Sequence, residues 1–250
     1  MDKYTVITGA SSGIGYAAAK AFVKRGKNLI LIARRIEQLE QLKSEIDEIS
    51  DVKVVIISSD LSAIENVYDV YSRLKQYYVE TWVNNAGFGN YSPVEQQDLK
   101  KIENMINVNI TALTIFSSLY VRDYSYLPNT QLINISSAGG YTIVPNAVTY
   151  CAAKFYVSVF TEGLARELSE NHSQLKAKVL APAATKTEFG KIASNTKSYD
   201  YDSHFKNYHT ADQMADFLMQ LYDSDCTVGI VDRNTFEFQI GEERLPYAGK

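Results

Sequence analysis

The segment TGASSGIG, residues 8–15, is a turn with three glycines between a predicted strand and a predicted helix. It follows a short apolar run, YTVIT at residues 4–8, and leads directly into a segment with the apolar spacing of a helix. Glycines let a backbone turn tightly and approach a ligand, while a helix N-terminus offers free N–H groups to a phosphate. The spacing of Gly9, Gly13 and Gly15 differs from G-x-G-x-x-G, but a plain strand-to-helix turn requires one glycine rather than three. We therefore expect a dinucleotide pyrophosphate to bind at this turn.

The same alternation of strand and helix continues along the whole chain. Six more apolar runs follow: NLILIA (28–33), KVVIIS (53–58), TWVNNA (81–86), QLINIS (131–136), AKVLAP (177–182) and TFEFQI (235–240). Helical spacing is found between them at 13–25, 36–49, 63–76, about 99–119, 150–170 and 210–221. Runs that are apolar at consecutive positions are typical of parallel strands covered on both faces. The pattern predicts one α/β domain over residues 1–250, a three-layer doubly wound Rossmann-type fold with a seven-stranded parallel sheet, and ligands at the carboxyl ends of its strands.

Composition excludes several classes of protein. The chain carries a net charge of -4, so it offers no basic excess to a nucleic acid, and no apolar run is long enough for a membrane span. The first residues show no secretion signal. Only Cys151 and Cys226 occur, with no Cys or His cluster, which suits a reduced compartment and argues against a metal site. We expect a cytoplasmic protein that acts on small molecules without a metal.

Two arginines follow the second predicted strand. Dinucleotide folds often have an acidic residue here that bonds the adenosine 2'-hydroxyl, but this chain has Arg34 and Arg35. Their guanidinium groups would attract a 2'-phosphate, which favours NADP over NAD, unless both arginines are simply solvated residues of a surface helix. Asp60, after the third strand, either accepts a hydrogen bond from the adenine amino group or caps the next helix, for which Ser62 is better placed.

A tyrosine and a lysine in TYCAAKFY (149–156) lie one helical turn apart. An ammonium group at Lys154 beside the phenol would favour the phenolate and lower its pKa, so Tyr150 could exchange a proton with a substrate oxygen near neutrality. Tyr16/Lys20 and Tyr71/Lys75 have the same spacing. We favour Tyr150 because AGGYTIVPNAVT (138–149) is a loop, which lets a helix begin just before Tyr150 and close to Ser137 at a strand end.

Five motifs occur in a fixed order: TGASSGIG, NNAG (84–87), NVN around Asn109, ISS ending at Ser137, and YCAAK (150–154). Together they resemble the classical short-chain dehydrogenase/reductase family over essentially the whole chain. The resemblance implies an enzyme that carries hydride between NAD(P) and a carbonyl or alcohol, with a catalytic tetrad formed by Asn109, Ser137, Tyr150 and Lys154. One departure is Ala183 after Pro182, where the family usually has glycine, which puts the local backbone beside the nicotinamide in doubt.

The expected cofactor site combines the glycine turn, the two arginines and positions that the resemblance implies. Its residues are Gly9, Ser11, Ser12, Gly13, Ile14, Gly15, Arg34, Arg35, Asp60, Leu61, Asn85, Ala86, Gly87, Tyr150, Lys154, Pro182 and Thr187. Tyr150 is expected to act as general acid/base, Ser137 to bond the substrate carbonyl, and Lys154 to bind the nicotinamide ribose. The resemblance implies that Asn109 binds a water linking Lys154 to solvent; otherwise it is a helix asparagine bonded to the backbone.

Other readings stay open at this point. An NADP-sensing regulator without turnover would keep the fold but usually damages the tetrad, and a nucleotide-sugar epimerase or dehydratase would have a longer region after Thr187. Segment 188–208 is either a substrate lid or a surface loop. Candidate pocket residues Phe88, Tyr141, Val144 and Phe189 favour an apolar or aromatic carbonyl substrate. The long helices that begin near Leu99 and Tyr150 suggest a homodimer or homotetramer.

Overall fold

The computed structural model describes residues 2–248, in which strands and helices alternate. The strands are β1 Lys3–Thr8, β2 Asn28–Ala33, β3 Val54–Ser58, β4 Tyr78–Asn84, β5 Gln131–Ile135, β6 Lys176–Ala181, β7 Thr185–Lys186, β8 His209–Thr210, β9 Val228–Val231 and β10 Phe238–Gly241. The helices are α1 Gly13–Val23, α2 Ile36–Asp47, α3 Ile64–Leu74, α4 Leu99–Ile106, α5 Leu113–Tyr124, α6 Val148–Glu170, α7 Phe189–Ala193, α8 Tyr201–His204 and α9 Ala211–Asp223. Five of the six predicted helices are therefore present with small shifts at their ends, and the one predicted over about 99–119 corresponds to α4 and α5.

Within residues 2–248 the main sheet has eight strands in the order β10-β9-β6-β5-β4-β1-β2-β3, rather than the seven that we predicted. The strand missed by the sequence analysis is β9, which continues the parallel part of the sheet beside β6. The run TFEFQI contributes β10, but this edge strand pairs with β9 in the antiparallel direction. The doubly wound Rossmann-type architecture is confirmed, and its last strand reverses because a short connection joins β9 to β10.

Two apolar layers sandwich the sheet. On one face, α1, α2 and α9 contribute residues such as Phe22, Leu42 and Leu218 to a fully buried cluster. On the other face, α3, α5 and α6 pack around Trp82. Consecutive residues of β2 divide between the two clusters, because neighbouring side chains of a strand point to opposite faces. This division explains the unbroken apolar runs and gives the three-layer arrangement.

A polar ladder crosses the buried centre of the sheet. Asn84 on β4 pairs in register with Asn134 on β5, and its amide donates to the Asn134 side-chain oxygen at 2.9 Å. The Asn134 amide in turn donates to the Thr161 hydroxyl on α6 at 2.9 Å, and Trp82 Nε1 donates to Asn84 Oδ1 at 2.8 Å. The buried amides are thereby hydrogen-bonded, which such groups require.

The long helix predicted over 99–119 is interrupted by a π-helical stretch at Asn107–Ala112, between α4 and α5. The segment 188–208 contains α7 and α8, and its end is joined to the preceding chain by the two-stranded pairing of β7 with β8. Among residues 2–248, no helix combines the length and apolarity that crossing a membrane requires. In the same range, no three His, Cys, Asp or Glu side chains are grouped in a way that could hold a metal ion.

Candidate active site

A cleft of about 630 Å³ lies at the carboxyl ends of the parallel strands. This is the edge where ligands bind in open α/β sheets. Of the predicted site residues, the following line it: Gly9, Ser11, Ser12, Gly13, Ile14, Arg34, Arg35, Asp60, Leu61, Asn85, Ala86, Gly87, Ser137, Tyr150, Lys154, Pro182 and Thr187. Gly15 and Asn109 lie behind this lining rather than in it. Residues from the ends of six strands, β1 to β6, are thus brought to one site.

The glycine turn is held close to neighbouring backbone. Gly9 and Gly13 have φ angles of +68° and +57°, which residues with a Cβ rarely adopt. A Cβ at Gly15 would lie 2.4 Å from Asn85 Nδ2 and 2.5 Å from the Gly9 carbonyl oxygen. Two glycines thus allow the left-handed turn, and Gly15 allows α1 to pack directly against the segment after β4. The Asn85 amide donates to the Thr8 carbonyl oxygen at 2.9 Å, which ties β4 to β1 beneath the turn.

Tyr150 lies in the first turn of α6, as the loop before it predicts. Its side chain is buried, and this burial raises the pKa of the phenol, although the nearby Ser137 hydroxyl acts to lower it. The Ser137 hydroxyl follows β5, accepts a hydrogen bond from the Gly139 N–H at 3.0 Å and donates to the Pro182 carbonyl oxygen at 3.5 Å. A protonated phenol and a hydroxyl therefore face the cleft together.

Lys154 follows one turn later on the same helix. Its Nζ donates to the Ile135 carbonyl oxygen at 2.8 Å, and burial lowers its pKa to about 8. We expected its ammonium group to lower the Tyr150 pKa, and that expectation is wrong for this structure, because burial of the phenol outweighs the other influences. Burial acts on both groups at once by disfavouring the charged form of each.

The side chain of Asn109 lies within the π-helical stretch and bonds to the backbone of Phe88. Its Nδ2 donates to the Phe88 carbonyl oxygen at 2.9 Å, and its Oδ1 accepts from the Phe88 N–H at 3.1 Å. Of the two roles considered for Asn109, the structure contains the backbone contact. A Cβ at Gly87 would lie 3.0 Å from Asn109 Oδ1 and 3.5 Å from Lys154 Nζ, so this glycine separates the two side chains.

The rival tyrosines have other partners. Tyr71 lies on α3, where its phenol donates to Asp123 at 2.9 Å and its ring packs near Trp82. Tyr16 donates to Glu45, which also pairs with Lys20 at 2.8 Å. These contacts occupy both phenols in packing between helices, whereas Tyr150 lines the cleft.

Aromatic side chains cover the Tyr150 phenol. The Phe189 ring from α7 lies 5.3 Å from the Tyr150 ring, and the Tyr91 ring lies 6.3 Å from it. Phe88 and Val144 belong to the same apolar cluster, as the sequence suggested. Tyr141 does not fit that suggestion, because its phenol donates to the buried Glu162 of α6. The proposed apolar pocket is therefore present with a different set of aromatic residues.

Tyr91 is a cleft residue that was not predicted from the sequence, and it is held there by its N–H, which donates to the Ala193 carbonyl oxygen at 2.8 Å. The available signal was the run FGNY (88–91), in which a glycine and an aromatic residue follow a strand end. Its contact with residues a hundred positions later is not visible in any local pattern. Tyr91 thus joins the lining of the apolar end of the cleft.

The opposite end of the cleft is polar and carries charged side chains of both signs. Arg35 donates from its NH2 nitrogen to Ser12 Oγ at 2.8 Å and to Ser11 Oγ at 3.2 Å, and it forms an ion pair with Glu188 at 2.8 Å. Arg34 is exposed and lines the same region. Glu188 is another residue that the sequence analysis missed. The arginines and the glycine turn therefore bring together guanidinium and backbone N–H groups, which are kinds of donor that bind anions.

Asp60 and Ala183 were uncertain from sequence alone. One Asp60 carboxylate oxygen accepts from the Ser62 N–H at 3.0 Å and from its hydroxyl at 2.9 Å, so Asp60 closes the turn before α3. Ser62 does not cap α3, whose N-cap is Ala63. Ala183 is not among the residues with a positive φ, so this position does not need the glycine that is usual in the family. Asp60 still lines the cleft.

The cleft fits a long ligand with an anionic middle and one flat apolar end. Gly9 and Gly13 line the cleft without side chains, and α1 begins at Gly13, so a helix N-terminus borders the cleft. Ser137, Tyr150 and Lys154 supply hydroxyl and amine groups at the apolar end. A dinucleotide with a reactive ring beside a small second molecule has this distribution of charge and shape.

Known proteins are similar to this chain in both sequence and fold. The sequence model of the family described as short chain dehydrogenase matches residues 3–198. The chain is 30% identical over 219 residues to an uncharacterized oxidoreductase of Staphylococcus saprophyticus, which covers 86% of this chain and 87% of that protein. A short-chain dehydrogenase from Sphingobium yanoikuyae, solved in complex with NADPH, is 28% identical with a TM-score of 0.82 over 93% of this chain and 89% of its own.

A second solved structure is the bulky-bulky ketone specific alcohol dehydrogenase from Comamonas testosteroni. It is 26% identical, with a TM-score of 0.76 over 91% of this chain and 85% of its own. The family match spans most of the chain, and it includes the glycine turn, Asn109, Ser137, Tyr150 and Lys154. The resemblance found in the motifs is thereby confirmed, and the chain belongs to the short-chain dehydrogenase family of oxidoreductases.

Proposed function

We propose that the protein is an NADP-dependent oxidoreductase that transfers hydride between NADPH and a ketone or aldehyde, or the corresponding alcohol, with Tyr150 as general acid/base. One observation carries the proposal: Ser137, Tyr150 and Lys154 share a cleft with the glycine turn and two arginines. The first group can activate a carbonyl, and the second can hold a phosphorylated dinucleotide. Their arrangement in one cleft favours a reaction between the two ligands.

The nicotinamide cofactor, when bound, supplies or accepts the hydride. Tyr150 holds the proton that a reduced carbonyl oxygen must receive, and its raised pKa keeps the phenol protonated at neutral pH. Ser137 donates a hydrogen bond to the same substrate oxygen, where negative charge develops. Lys154, one helical turn beyond Tyr150, hydrogen-bonds the nicotinamide ribose in this proposal and so positions the cofactor beside the phenol.

Support for NADP comes from the charge around the adenine end of the cleft. Arg34 is exposed and Arg35 is half-exposed, and both line the region beside the glycine turn. A 2'-phosphate would form charge-assisted hydrogen bonds with these guanidinium groups. The Sphingobium relative, solved with NADPH, supports the same choice.

The substrate end of the cleft supports an apolar carbonyl compound. Phe88, Tyr91, Val144 and Phe189 pack into one cluster with Tyr150. Such a lining favours apolar or aromatic groups beside the reacting oxygen. The Comamonas relative acts on bulky ketones, which is consistent with this class. We propose that segment 188–208, which carries Phe189, covers the bound substrate as a lid.

The test is turnover of a panel of ketones, aldehydes and alcohols, followed by nicotinamide absorbance with each cofactor. Tyr150→Phe should lower turnover by about a hundredfold or more while NADPH still binds. Tyr71→Phe is the matched control, because its phenol donates to Asp123 of α5 and does not line the cleft. Turnover retained in Tyr150→Phe would overturn the assigned role.

The cofactor choice is tested separately with Arg34→Ala/Arg35→Ala. This variant should bind NADPH at least tenfold more weakly and NADH with little change, because only NADPH carries the 2'-phosphate. Equal affinity of wild type and variant for NADPH would refute the NADP preference. Wild-type protein that binds NADPH but turns over no member of the panel would instead indicate a regulatory sensor.

A further inference from the structure

The Arg35 guanidinium joins three parts of the chain. It extends from the start of α2, donates to Ser11 and Ser12 of the glycine turn, and pairs through NH1 with Glu188 Oε2 at 2.8 Å. Glu188 immediately precedes α7, at the first position of segment 188–208. One side chain thus connects the turn, the second strand's end and the segment proposed as a lid.

Glu188 is held as an anion at this position. Lys191 Nζ also donates to its second carboxylate oxygen, at 3.2 Å. Hydrogen bonds from Arg35 and Lys191 keep the pKa of Glu188 below its usual value. The ionised carboxylate of Glu188 therefore lies against Arg35, the arginine that is expected to bind phosphate.

We propose that Glu188 is a specificity-determining residue that occupies the anion site of Arg35 and competes there with the 2'-phosphate of NADP. The inference rests on the proposed function, since it concerns how strongly the same site prefers NADP. When a 2'-phosphate binds Arg35, Glu188 has to release the guanidinium, which frees the first residue of segment 188–208 from the glycine turn. NAD has a hydroxyl at this position and does not contest the ion pair.

The donor geometry of Arg35 supports competition rather than shared binding. Its NH1 is engaged by Glu188, and its NH2 and Nε by the two serine hydroxyls. A phosphate that binds through two guanidinium donors must replace one of these partners. The carboxylate is the partner most strongly repelled by the incoming phosphate. Arg34, whose exposed side chain has no ion pair in the described part of the chain, remains available to a phosphate throughout.

The test compares Glu188→Gln with the wild type in titrations of NADPH and NADH without substrate, followed by nicotinamide fluorescence. Glu188→Gln should bind NADPH about two- to fivefold more tightly, the size expected from removing an exposed ion pair, and NADH unchanged. Glu37→Gln is the matched control, because it removes the same charge from the exposed first turn of α2. It should bind both nucleotides like the wild type.

Arg35→Ala separates the two proposals. If Arg35→Ala weakens NADPH binding but Glu188→Gln leaves it unchanged or weakens it, Glu188 does not compete and this inference is overturned while the NADP preference stands. If Arg35→Ala binds NADPH like the wild type, the 2'-phosphate does not bind Arg35 and this inference is overturned, while the NADP preference is decided by the double variant Arg34→Ala/Arg35→Ala. A gain in NADPH affinity shown equally by Glu37→Gln would be a general charge effect and would also overturn the assignment to Glu188.

Discussion

Replacing Lys154 with methionine should make the folded protein more stable at neutral pH, although it removes a proposed catalytic group. The amine is buried and its pKa falls from 10.5 to about 8. The unfolded chain keeps its proton up to the higher value, so between pH 8 and 10.5 the unfolded state binds more protons than the folded state. The free energy of unfolding of the wild type therefore increases with pH between pH 8 and 10.5 as far as Lys154 is concerned. Below pH 8 the amine is charged in both states, and the full cost of burying that charge is present.

The size of the effect follows from the two pKa values. At about 1.4 kcal/mol per pKa unit, the buried ammonium costs about 3 kcal/mol at pH 7 and less than about 1 kcal/mol at pH 10. Methionine loses the hydrogen bond to the Ile135 carbonyl oxygen, which contributes about 1 kcal/mol. Lys154→Met should thus gain about 2 kcal/mol of unfolding free energy at pH 7 and almost nothing at pH 10.

Urea unfolding of both proteins at pH 7 and pH 10, with reductant and without nucleotide, measures this difference. Subtracting one protein from the other removes the contribution of other titrating groups, such as the buried Lys178. Lys75→Met is the surface control, because its side chain is exposed at the end of α3, and it should change stability by less than about 0.5 kcal/mol at either pH. A less stable Lys154→Met at pH 7, or a difference that does not depend on pH, would refute the reasoning.

Three further predictions concern packing and assembly. Gly15→Ala should lower the free energy of unfolding by about 1–3 kcal/mol in urea denaturation, because its Cβ would lie 2.4 Å from Asn85 Nδ2. Gly163→Ala should raise it by about 0.5–1 kcal/mol, because a Cβ there meets nothing within 4 Å and alanine favours the helix. Glu162→Ala should cost about 3 kcal/mol, because it leaves a phenol and two backbone N–H groups near the C-terminal end without their acceptor, and hydrogen exchange of those amides should accelerate. We expect the protein to form a dimer or tetramer through α4 and α6. Val159 is 54% exposed on α6, so Val159→Glu should lower the mass measured by light scattering. An unchanged mass would exclude this face as the interface.

The strand and helix order was predictable because local apolar runs report burial directly. β9 escaped because VGIV is only four residues long and contains Gly229, which weakens a strand pattern. The antiparallel direction of β10 depends on the length of its connection to β9 and on its pairing with that strand. The run TFEFQI by itself indicates neither of these. Local pattern therefore predicted which segments form the sheet better than how its last edge is built.

The candidate site divides in a similar way. Gly9, Gly13 and Tyr150 stand out from local sequence, because a tight turn and a first helical turn need particular residues. Tyr91 and Glu188 do not, because each reaches the cleft through a contact between segments that are distant in the chain. The direction of the Tyr150 pKa was also out of reach, since burial depends on the tertiary packing of neighbouring rings.

The amide pair between β4 and β5 has a consequence for how accurately the protein assembles. If the pairing of β4 with β5 slipped by one residue, every side chain of the slipped strand would point to the wrong face of the sheet. A slip of two residues would restore the faces but leave both asparagine amides without their hydrogen-bond partners, at a cost of about 1–3 kcal/mol each. The same slip would also shift one strand end by about 7 Å relative to the other. Asn85 follows the first of these strands and Ser137 the second. The hydrogen bond between Asn84 and Asn134 therefore favours the correct register of β4 and β5, and this register places Asn85 and Ser137 at their proper positions along the strands.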